Sequence, residues 1–162
     1  MEYYPVVVKV KGVYVLVVGG GKVAQRKAMG LLKAGARVTV ISPTVTTALG
    51  RLAKRAELAW LKRKVNRNDI AKASIVIAAT NDVLVNKNVS LWSKKQKILV
   101  NIVDNPGLST FISPAVFKSN KAIIAVNSNG RDPELSRDLK NFIKEQWDEF
   151  LSYRRRLQKR AS

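Results

Sequence analysis

The sequence predicts an α/β fold with a doubly wound parallel sheet, and two observations carry that prediction. Apolar runs typical of strands alternate with amphipathic stretches typical of helices as far as about residue 103. The run at 13–18 is followed directly by the glycine turn Gly19-Gly20-Gly21 and then by a helical stretch that ends before Gly35. A strand, a glycine turn and a helix in this order favour a Rossmann-type sheet, whose parallel strands are joined by right-handed crossovers.

Each element of this sheet has its own signal in the sequence. Apolar runs predict strands at 13–18, 37–41, 58–61, 74–79 and 98–102. Amphipathic stretches predict helices at 22–34, 44–55 and 82–95, with a brief helical turn at 68–72. Residues 6–8 are expected to add a short edge strand before the first buried one.

A different pattern begins after the last strand of the sheet. A short apolar segment at 111–118 and a strand at 122–126 lead to a long helix, with Asp132 as its N-cap and Pro133 in its first turn. The apolar stripe of this helix is wide enough to pack on the sheet domain or on a second subunit. The basic tail at 154–160 is expected to fray into solvent.

The composition excludes several kinds of chemistry. The 162 residues include neither cysteine nor histidine, which removes thiolate nucleophiles, disulfides and the usual ligands of zinc and iron–sulfur clusters. Proton transfer must therefore use Asp, Glu, Lys or Tyr, and we expect no metal site. No apolar run is long enough to span a bilayer and the N-terminus does not resemble a signal peptide, so we expect a cytoplasmic protein.

The chain is strongly basic, with a formal net charge of +19 from 30 basic and 11 acidic residues. Such an excess attracts polyanions, so a nucleic acid, a polycarboxylate substrate and a generic basic surface are all open explanations. The sequence contains no recognisable helix-turn-helix, RNA-binding sheet motif or interleaving of aromatic and basic residues, which makes nucleic acid the weakest of the three.

The glycine turn has the features that a dinucleotide pyrophosphate requires. Gly19 permits the tight turn, Gly21 lets phosphates approach the backbone, and Ala24 is small enough for the helix to pack on the sheet. The free N–H groups and the positive dipole end of the helix face the anion. The alternative is a simple tight connection between strand and helix.

Polar residues follow two further strands at the sheet edge where ligands of parallel sheets bind. After the second strand no acid is present to hold a ribose, although Ser42 or Thr44 could do so, and the choice between NAD and NADP stays open. Thr80 and Asn81 are positioned to meet a cofactor, and the alternative is that Asn81 or Asp82 merely caps the next helix.

Asp104 is the best candidate for a proton acceptor, because it ends a strand in the same crevice and no histidine or cysteine is available. The alternative is an aspartate that initiates a turn through its own side chain. The loop at 127–133 offers Ser128, Arg131 and free amides to anionic groups, or serves only to cap the helix that follows.

These motifs in this order resemble the precorrin-2 dehydrogenase domain of siroheme synthases. The likeness covers about residues 5–147 and is carried by 17–24 with Arg26 and Lys27, 35–40, 78–82 with Asn86, 100–104, 111–115, and 128–130 with Pro133 and Leu135. The resemblance implies an NAD-binding Rossmann domain at 1–112. It also implies a dimerisation and substrate-loop segment at 113–162, through which the family forms homodimers.

The resemblance implies NAD-dependent oxidation of precorrin-2 to sirohydrochlorin, in the biosynthesis of siroheme or a related tetrapyrrole. Asp104 corresponds to the family's essential aspartate and Ser128 to its substrate-loop serine. The substrate contacts would be Asn101, Ser128 and Arg131. The coenzyme contacts would be Gly19, Gly21, Lys22, Val23, Ser42, Pro43, Thr44, Thr80 and Asn81.

Two features of the chain depart from the family pattern. The loop at 127–132 has larger polar residues than usual, and the chain ends soon after the long helix, where family members commonly continue into a small helical domain. Some relatives also insert iron into sirohydrochlorin, and we expect no efficient chelation here because histidine is lacking. A bifunctional dehydrogenase and chelatase, and an NAD-sensing regulatory module without catalysis, are the alternatives.

Overall fold

The computed structural model describes the backbone of residues 3–161 and the side chains of residues 3–158. The described chain divides into two compact units, each with its own strands and helices. One unit is Pro5–Ile112. The other is formed by the chain from Ser113 onward, together with Tyr3 and Tyr4.

Within the described residues, a five-stranded parallel sheet forms the centre of the first unit. Its strands are β1 (Tyr14–Val18), β2 (Arg37–Ile41), β3 (Ala59–Leu61), β4 (Ile75–Ala78) and β5 (Leu99–Ile102). They lie in the order β3-β2-β1-β4-β5, and each neighbouring pair is parallel. The strand order reverses between β1 and β4, as it does in a doubly wound sheet, so the predicted Rossmann-type fold is confirmed.

Helices cover both faces of this sheet. They are α1 (Lys22–Lys33), α2 (Thr47–Lys54), α3 (Arg67–Ile70) and α4 (Val83–Lys95). Since side chains alternate between the two faces of a strand, Val15 and Val17 of β1 pack with Ala28 of α1 on one face. Leu16 of β1 packs with Val89 of α4 on the other face. The sheet is therefore buried from both sides, which explains the unbroken apolar runs of its strands.

Capping residues move some of the predicted boundaries. Helix α2 begins three residues later than predicted, because Thr46 donates its N–H to Gly20 O at 2.9 Å and caps the helix by accepting from Leu49 N. Asp82 caps α4, with its Oδ1 accepting from two first-turn N–H groups at 3.0 Å. The edge strand predicted at 6–8 does not form, because the sheet ends at β3 and β5 and neither pairs with this exposed segment.

The described part of the second unit consists of an antiparallel strand pair followed by two helices. These elements are β6 (Ala115–Lys118), β7 (Ile123–Val126), α5 (Pro133–Glu145) and α6 (Trp147–Ala161). The single long helix that the sequence predicts is divided at Gln146, and the ring of Trp147 packs edge-on against Phe117 with centroids 5.4 Å apart. The tail that was expected to fray is helical as far as Ala161. Within residues 3–161, every helix is too short or too polar to span a lipid bilayer.

Candidate functional site

The carboxyl ends of β1, β2, β4 and β5 meet at one edge of the sheet. The N–H of Gly19, just after β1, donates to the Ile41 carbonyl of β2 at 3.0 Å. The N–H of Ala79, just after β4, donates to the Val18 carbonyl of β1 at 2.8 Å, and Val103 bonds to β4 in the same way at 3.0 Å. The loops that leave these strands are therefore neighbours at the reversal of strand order, which is where doubly wound sheets bind ligands.

The three glycines of the turn after β1 have different surroundings. Gly19 has a φ of +113°, and a Cβ atom on it would overlap Ala79 O. A Cβ atom on Gly20 would overlap Thr44 O, whereas one on Gly21 would meet no atom within 4 Å. Other parts of the protein thus pack closely against the first two glycines, whereas the third is open. The space at the third glycine leaves room for a group that approaches the backbone closely.

Helix α1 begins at this turn without a side-chain cap. Its N-cap is Gly21, and its first turn contains no acidic residue. Lys22 and Val23, the first two residues of the helix, are exposed at this end. Uncapped N–H groups at the positive end of the helix dipole, beside an open glycine backbone, fit the phosphates of a dinucleotide.

The loop after β2 is anchored at both of its ends, to β3 at the first and to the glycine turn at the second. Ser42 O accepts from Trp60 Nε1 at 2.9 Å. Thr46 donates its N–H to the glycine turn and its Oγ1 to Gln25 Oε1 at 2.7 Å. Ser42, Pro43 and Thr44, which the family resemblance implies as adenosine contacts, therefore lie in a loop that is held at both ends by contacts within the protein.

Asn86 of α4 joins the tip of β4 to the tip of β5. Its side chain is 2% exposed, and its Nδ2 donates to Thr80 O at 3.0 Å and to Asp104 Oδ1 at 3.4 Å. Its Oδ1 accepts from Thr80 Oγ1 at 2.8 Å. Because Asp104 is exposed, its carboxylate is held from the protein side and open to a ligand from the solvent side. The structure therefore brings Thr80 and Asp104 together around one buried amide.

Sequence reasoning assigned no role to Asn86, although a signal was present. The residue follows the N-cap Asp82 by four positions, which puts it on the inner side of α4, where an amide needs hydrogen-bond partners. Asn81, which precedes the N-cap, is exposed and does not cap the helix. The capping role that the sequence left open belongs to Asp82.

Comparison with known proteins identifies the family. Residues 6–115 match a family model described as putative NAD(P)-binding. The siroheme synthases of Nitrosomonas eutropha and Nitrosomonas europaea are 40% and 41% identical over 86% and 87% of this chain. The structure of SirC, a precorrin-2 dehydrogenase, matches with a TM-score of 0.79 at 32% identity, covering 96% of this chain and 76% of that one. The chain belongs to the precorrin-2 dehydrogenase family.

Membership in this family, together with the match to the NAD(P)-binding model, identifies NAD as the cofactor. The predicted family and cofactor are thereby confirmed. The chain spans about 30% of the length of the two siroheme synthases. The open backbone at Gly21 and the uncapped start of α1 are the features of the structure that suit this cofactor.

Asn101 was predicted as a substrate contact. It lies on β5 and is 5% exposed. Its Nδ2 donates to Phe111 O at 3.2 Å, which ties the segment after β5 back to the sheet. The side chains of Ser109 and Thr110 reinforce this tie by accepting from the backbone N–H groups of β5 at 2.9 and 2.8 Å. In this structure, the Asn101 amide therefore supports the segment that follows Asp104.

The two remaining predicted substrate contacts lie in the second unit, in the loop before α5. Ser128 Oγ accepts from Asp132 N at 2.9 Å, and Ser128 N donates to the buried Ser136 Oγ at 3.0 Å. Arg131 is exposed, and its guanidinium forms no hydrogen bond or ion pair with any side chain among residues 3–158. The serine hydroxyl thus holds the loop closed while the arginine projects into solvent.

Lys27 is a partly buried lysine on α1 and one of the residues that carry the resemblance to precorrin-2 dehydrogenases. Burial, together with the neighbouring charge of Arg26, lowers its pKa from 10.5 to about 8. The helix has no acidic residue in its first turn to offset this charge. The folded protein therefore disfavours the charged form of this lysine.

Other candidate sites in the described structure lie away from the strand tips. Among the described residues, no three acidic side chains converge where a metal ion could sit. A cavity of about 570 Å³ lies over α2 and β3, beside Ala53 and Trp60. Another, of about 370 Å³, lies in the second unit beside Lys121 and Arg154. Neither cavity contains a residue that the sequence predicted for coenzyme or substrate.

Proposed function

We propose that this chain catalyses the NAD-dependent dehydrogenation of precorrin-2 to sirohydrochlorin. NAD, when bound, supplies the acceptor for the hydride that leaves the macrocycle. The proton that is lost at the same time needs a base. Asp104 is an exposed carboxylate at the sheet edge where the carboxyl ends of the strands meet, which we call the coenzyme edge. The observation that carries the proposal is the Asn86 bridge, because it holds Asp104 beside Thr80 with its outer side exposed.

The proposed coenzyme contacts follow from the strand tips. The pyrophosphate would lie on the open glycine backbone and the first turn of α1, with contacts at Gly19, Gly21, Lys22 and Val23. The adenosine would lie against the anchored loop of Ser42, Pro43 and Thr44. Thr80 and Asn81, at the tip of β4, would then face the nicotinamide end.

The proposed substrate is a polycarboxylate, which agrees with the charge of the first unit. Between Pro5 and Ile112 the sequence has 19 lysines and arginines and 4 acidic residues. Such a surface gathers anionic ligands by long-range attraction. Asn101, Ser128 and Arg131 remain the proposed substrate contacts. For Asn101 this role would require the amide to be shared with Phe111 O. A cytoplasmic location is part of this proposal.

We also propose that the chain forms a homodimer through its second unit. Leu135, Leu139 and Phe142 follow each other at helical spacing on α5, and each is at least 45% exposed. An apolar stripe of this kind is typical of a surface that another chain covers. Helix α6 adds Phe150 and Leu157, which are also exposed.

The replacement Asp104→Asn tests the proposed function. It keeps the shape and one oxygen of the side chain but removes the base, so we expect turnover to fall about 100-fold or more with NAD affinity unchanged. The measurement is the appearance of reduced nicotinamide in an anaerobic mixture of protein, NAD and precorrin-2. Glu57→Gln, an exposed acid before β3, is the matched control and should retain full activity.

Two outcomes would contradict the proposal. Normal turnover in Asp104→Asn would remove Asp104 from the catalytic role. NAD binding without any oxidation of precorrin-2 by the unaltered protein would favour a regulatory module that senses NAD.

A further inference from the structure

The loops after β2 and β3 have an unusual charge for a coenzyme pocket that selects NAD. In doubly wound folds an acidic residue about 20 positions past the glycine turn commonly binds the ribose hydroxyls of NAD, whereas a nearby cation accommodates the 2′-phosphate of NADP. Here the position after β2 is Ser42, and the loop after β3 begins Lys62-Arg63-Lys64. The usual acid is therefore replaced by a hydroxyl, and the loop after the neighbouring strand begins with three basic residues.

Strand pairing brings Lys62 next to Ser42. The register of β2 and β3 aligns Ile41 with Leu61, so the residues that follow them leave the sheet side by side. Ser42 N donates to Leu61 O at 3.2 Å, and Trp60 Nε1 donates to Ser42 O at 2.9 Å. The loop after β2, which would carry the adenosine ribose, thus lies against the start of the basic loop.

The basic loop is held by its central residue, which leaves its outer lysines available. Arg63 makes two hydrogen bonds to the Asp69 carboxylate, at 2.6 and 2.7 Å, and Asp69 also accepts from Asn66 N at 2.8 Å. This pairing lowers the pKa of Asp69 and occupies its carboxylate with Arg63. The ammonium groups of Lys62 and Lys64 are exposed and have no hydrogen-bond or ion-pair partner among residues 3–158.

We propose that the coenzyme pocket accepts NADP as well as NAD, with the 2′-phosphate bound by Lys62 and Lys64. The inference rests on the proposed function, because it presumes that the adenosine lies at the loop of Ser42. Charge-assisted bonds from two lysines supply the counter-charge that a phosphate monoester needs. The hydroxyl of Ser42 introduces no negative charge that would repel the phosphate, as a carboxylate would.

The test compares oxidised NAD and NADP by isothermal titration with the full chain. We expect the unaltered protein to bind NADP at least as tightly as NAD. The double variant Lys62→Gln/Lys64→Gln should weaken NADP binding about tenfold and NAD binding less than twofold, since each lysine contributes one charge-assisted contact. Lys33→Gln/Lys95→Gln removes two exposed lysines from the ends of α1 and α4 and controls for the general positive field.

The outcomes separate this inference from the proposed function. Loss of NADP affinity in the Lys62 and Lys64 variant alone supports it. It is overturned if the unaltered protein binds NADP more weakly than NAD, or if the control variant loses as much NADP affinity. If the protein binds and reduces NAD with precorrin-2 but does not bind NADP, only the inference fails. If it binds neither coenzyme, the proposed function fails with it.

Discussion

Gly20 and Gly21 are adjacent in the turn after β1, yet different physical restraints require a glycine at each position. A methyl group at Gly20 would overlap Thr44 O in the loop after β2. A methyl group at Gly21 would meet no protein atom within 4 Å, and in the proposed coenzyme pose it would extend into the space of the phosphates. The first restraint comes from the fold and the second from the proposed ligand position, so the two positions can be distinguished by experiment.

We expect Gly20→Ala and Gly21→Ala to have separable effects. Gly20→Ala should lower the free energy of unfolding by about 1–3 kcal/mol, because the turn or its neighbouring loop must move. Gly21→Ala should change it by less than about 1 kcal/mol, because the φ of −78° suits alanine. It should nevertheless weaken NAD binding about tenfold or more, because the methyl group occupies the phosphate approach. Urea unfolding and calorimetric titration measure the two effects, and unchanged NAD affinity in Gly21→Ala would exclude a phosphate contact there.

Helix α1 contains a charge that the fold disfavours. Burial lowers the pKa of Lys27 to about 8 from its ordinary 10.5, and the charge of Arg26 adds to this effect. Between about pH 8 and 10.5 the unfolded chain therefore holds a proton that the folded chain has released. Because stability rises with pH wherever the unfolded state binds more protons, the cost of burying Lys27 is present below pH 8 and disappears towards pH 10.5.

Replacing Lys27 with methionine should remove this pH dependence. We expect Lys27→Met to be more stable than the unaltered protein at pH 7, by up to about 3 kcal/mol from the pKa shift. The advantage should shrink as the pH rises to 10, and urea unfolding at both values measures it. Lys33→Met, at the exposed end of the same helix, reports the effect of losing a lysine from a solvated position. A stability difference that is the same at both pH values would contradict the prediction.

The strands were predictable because a parallel strand buried on both faces needs an unbroken apolar run. Strand β2 is found at Arg37–Ile41, as predicted; β1, β3 and β5 begin one residue later than predicted, and β4 is one residue shorter at each end. The short run at 6–8 has the same local character but forms no strand, because pairing depends on an available neighbour. The local sequence is therefore enough to predict a buried central strand, whereas an edge strand also depends on whether a neighbouring strand is free to pair with it.

Helix boundaries and side-chain convergence were less predictable because they depend on contacts between elements. The start of α2 is decided by the bond from Thr46 to Gly20, which belongs to the packed fold. The break at Gln146 has no proline or glycine to announce it, and it accompanies the packing of Trp147 on Phe117. The predicted ends of the strands indicated which loops would meet. The hydrogen bonds from Asn86 to Thr80 and Asp104 depend in addition on how α4 packs against two strands, which the sequence alone does not show.

The positive charge of the chain is unevenly distributed between the two units. The unit Pro5–Ile112 has 19 basic and 4 acidic residues, whereas the sequence from Ser113 onward has 11 basic and 6 acidic ones. The excess thus lies mainly in the unit that contains the coenzyme edge. Both proposed ligands, a dinucleotide and a polycarboxylate, are anions, so the same surface attracts both. This distribution favours ligand capture over a uniformly basic surface as the explanation of the net charge.

The exposed apolar residues of the second unit lead to a prediction about assembly. Leu139 and Phe142 of α5 are 45% and 58% exposed. If a second copy covers them, the protein in solution should have twice the chain mass of 18.0 kDa. Leu139→Glu/Phe142→Glu would bury two charges in that interface, so we expect it to convert the dimer to a monomer.

Light scattering coupled to size-exclusion chromatography measures this mass directly. The matched control is Leu84→Glu/Leu91→Glu, which alters two leucines of α4 that are 73% and 63% exposed in the first unit. The control should remain dimeric, because these leucines lie outside the proposed interface. A monomeric unaltered protein, or dissociation in the control alone, would contradict dimerisation through α5. Loss of the dimer in the Leu139 and Phe142 variant alone would identify this helix as the contact, since both variants add the same charge at exposed leucine or phenylalanine positions.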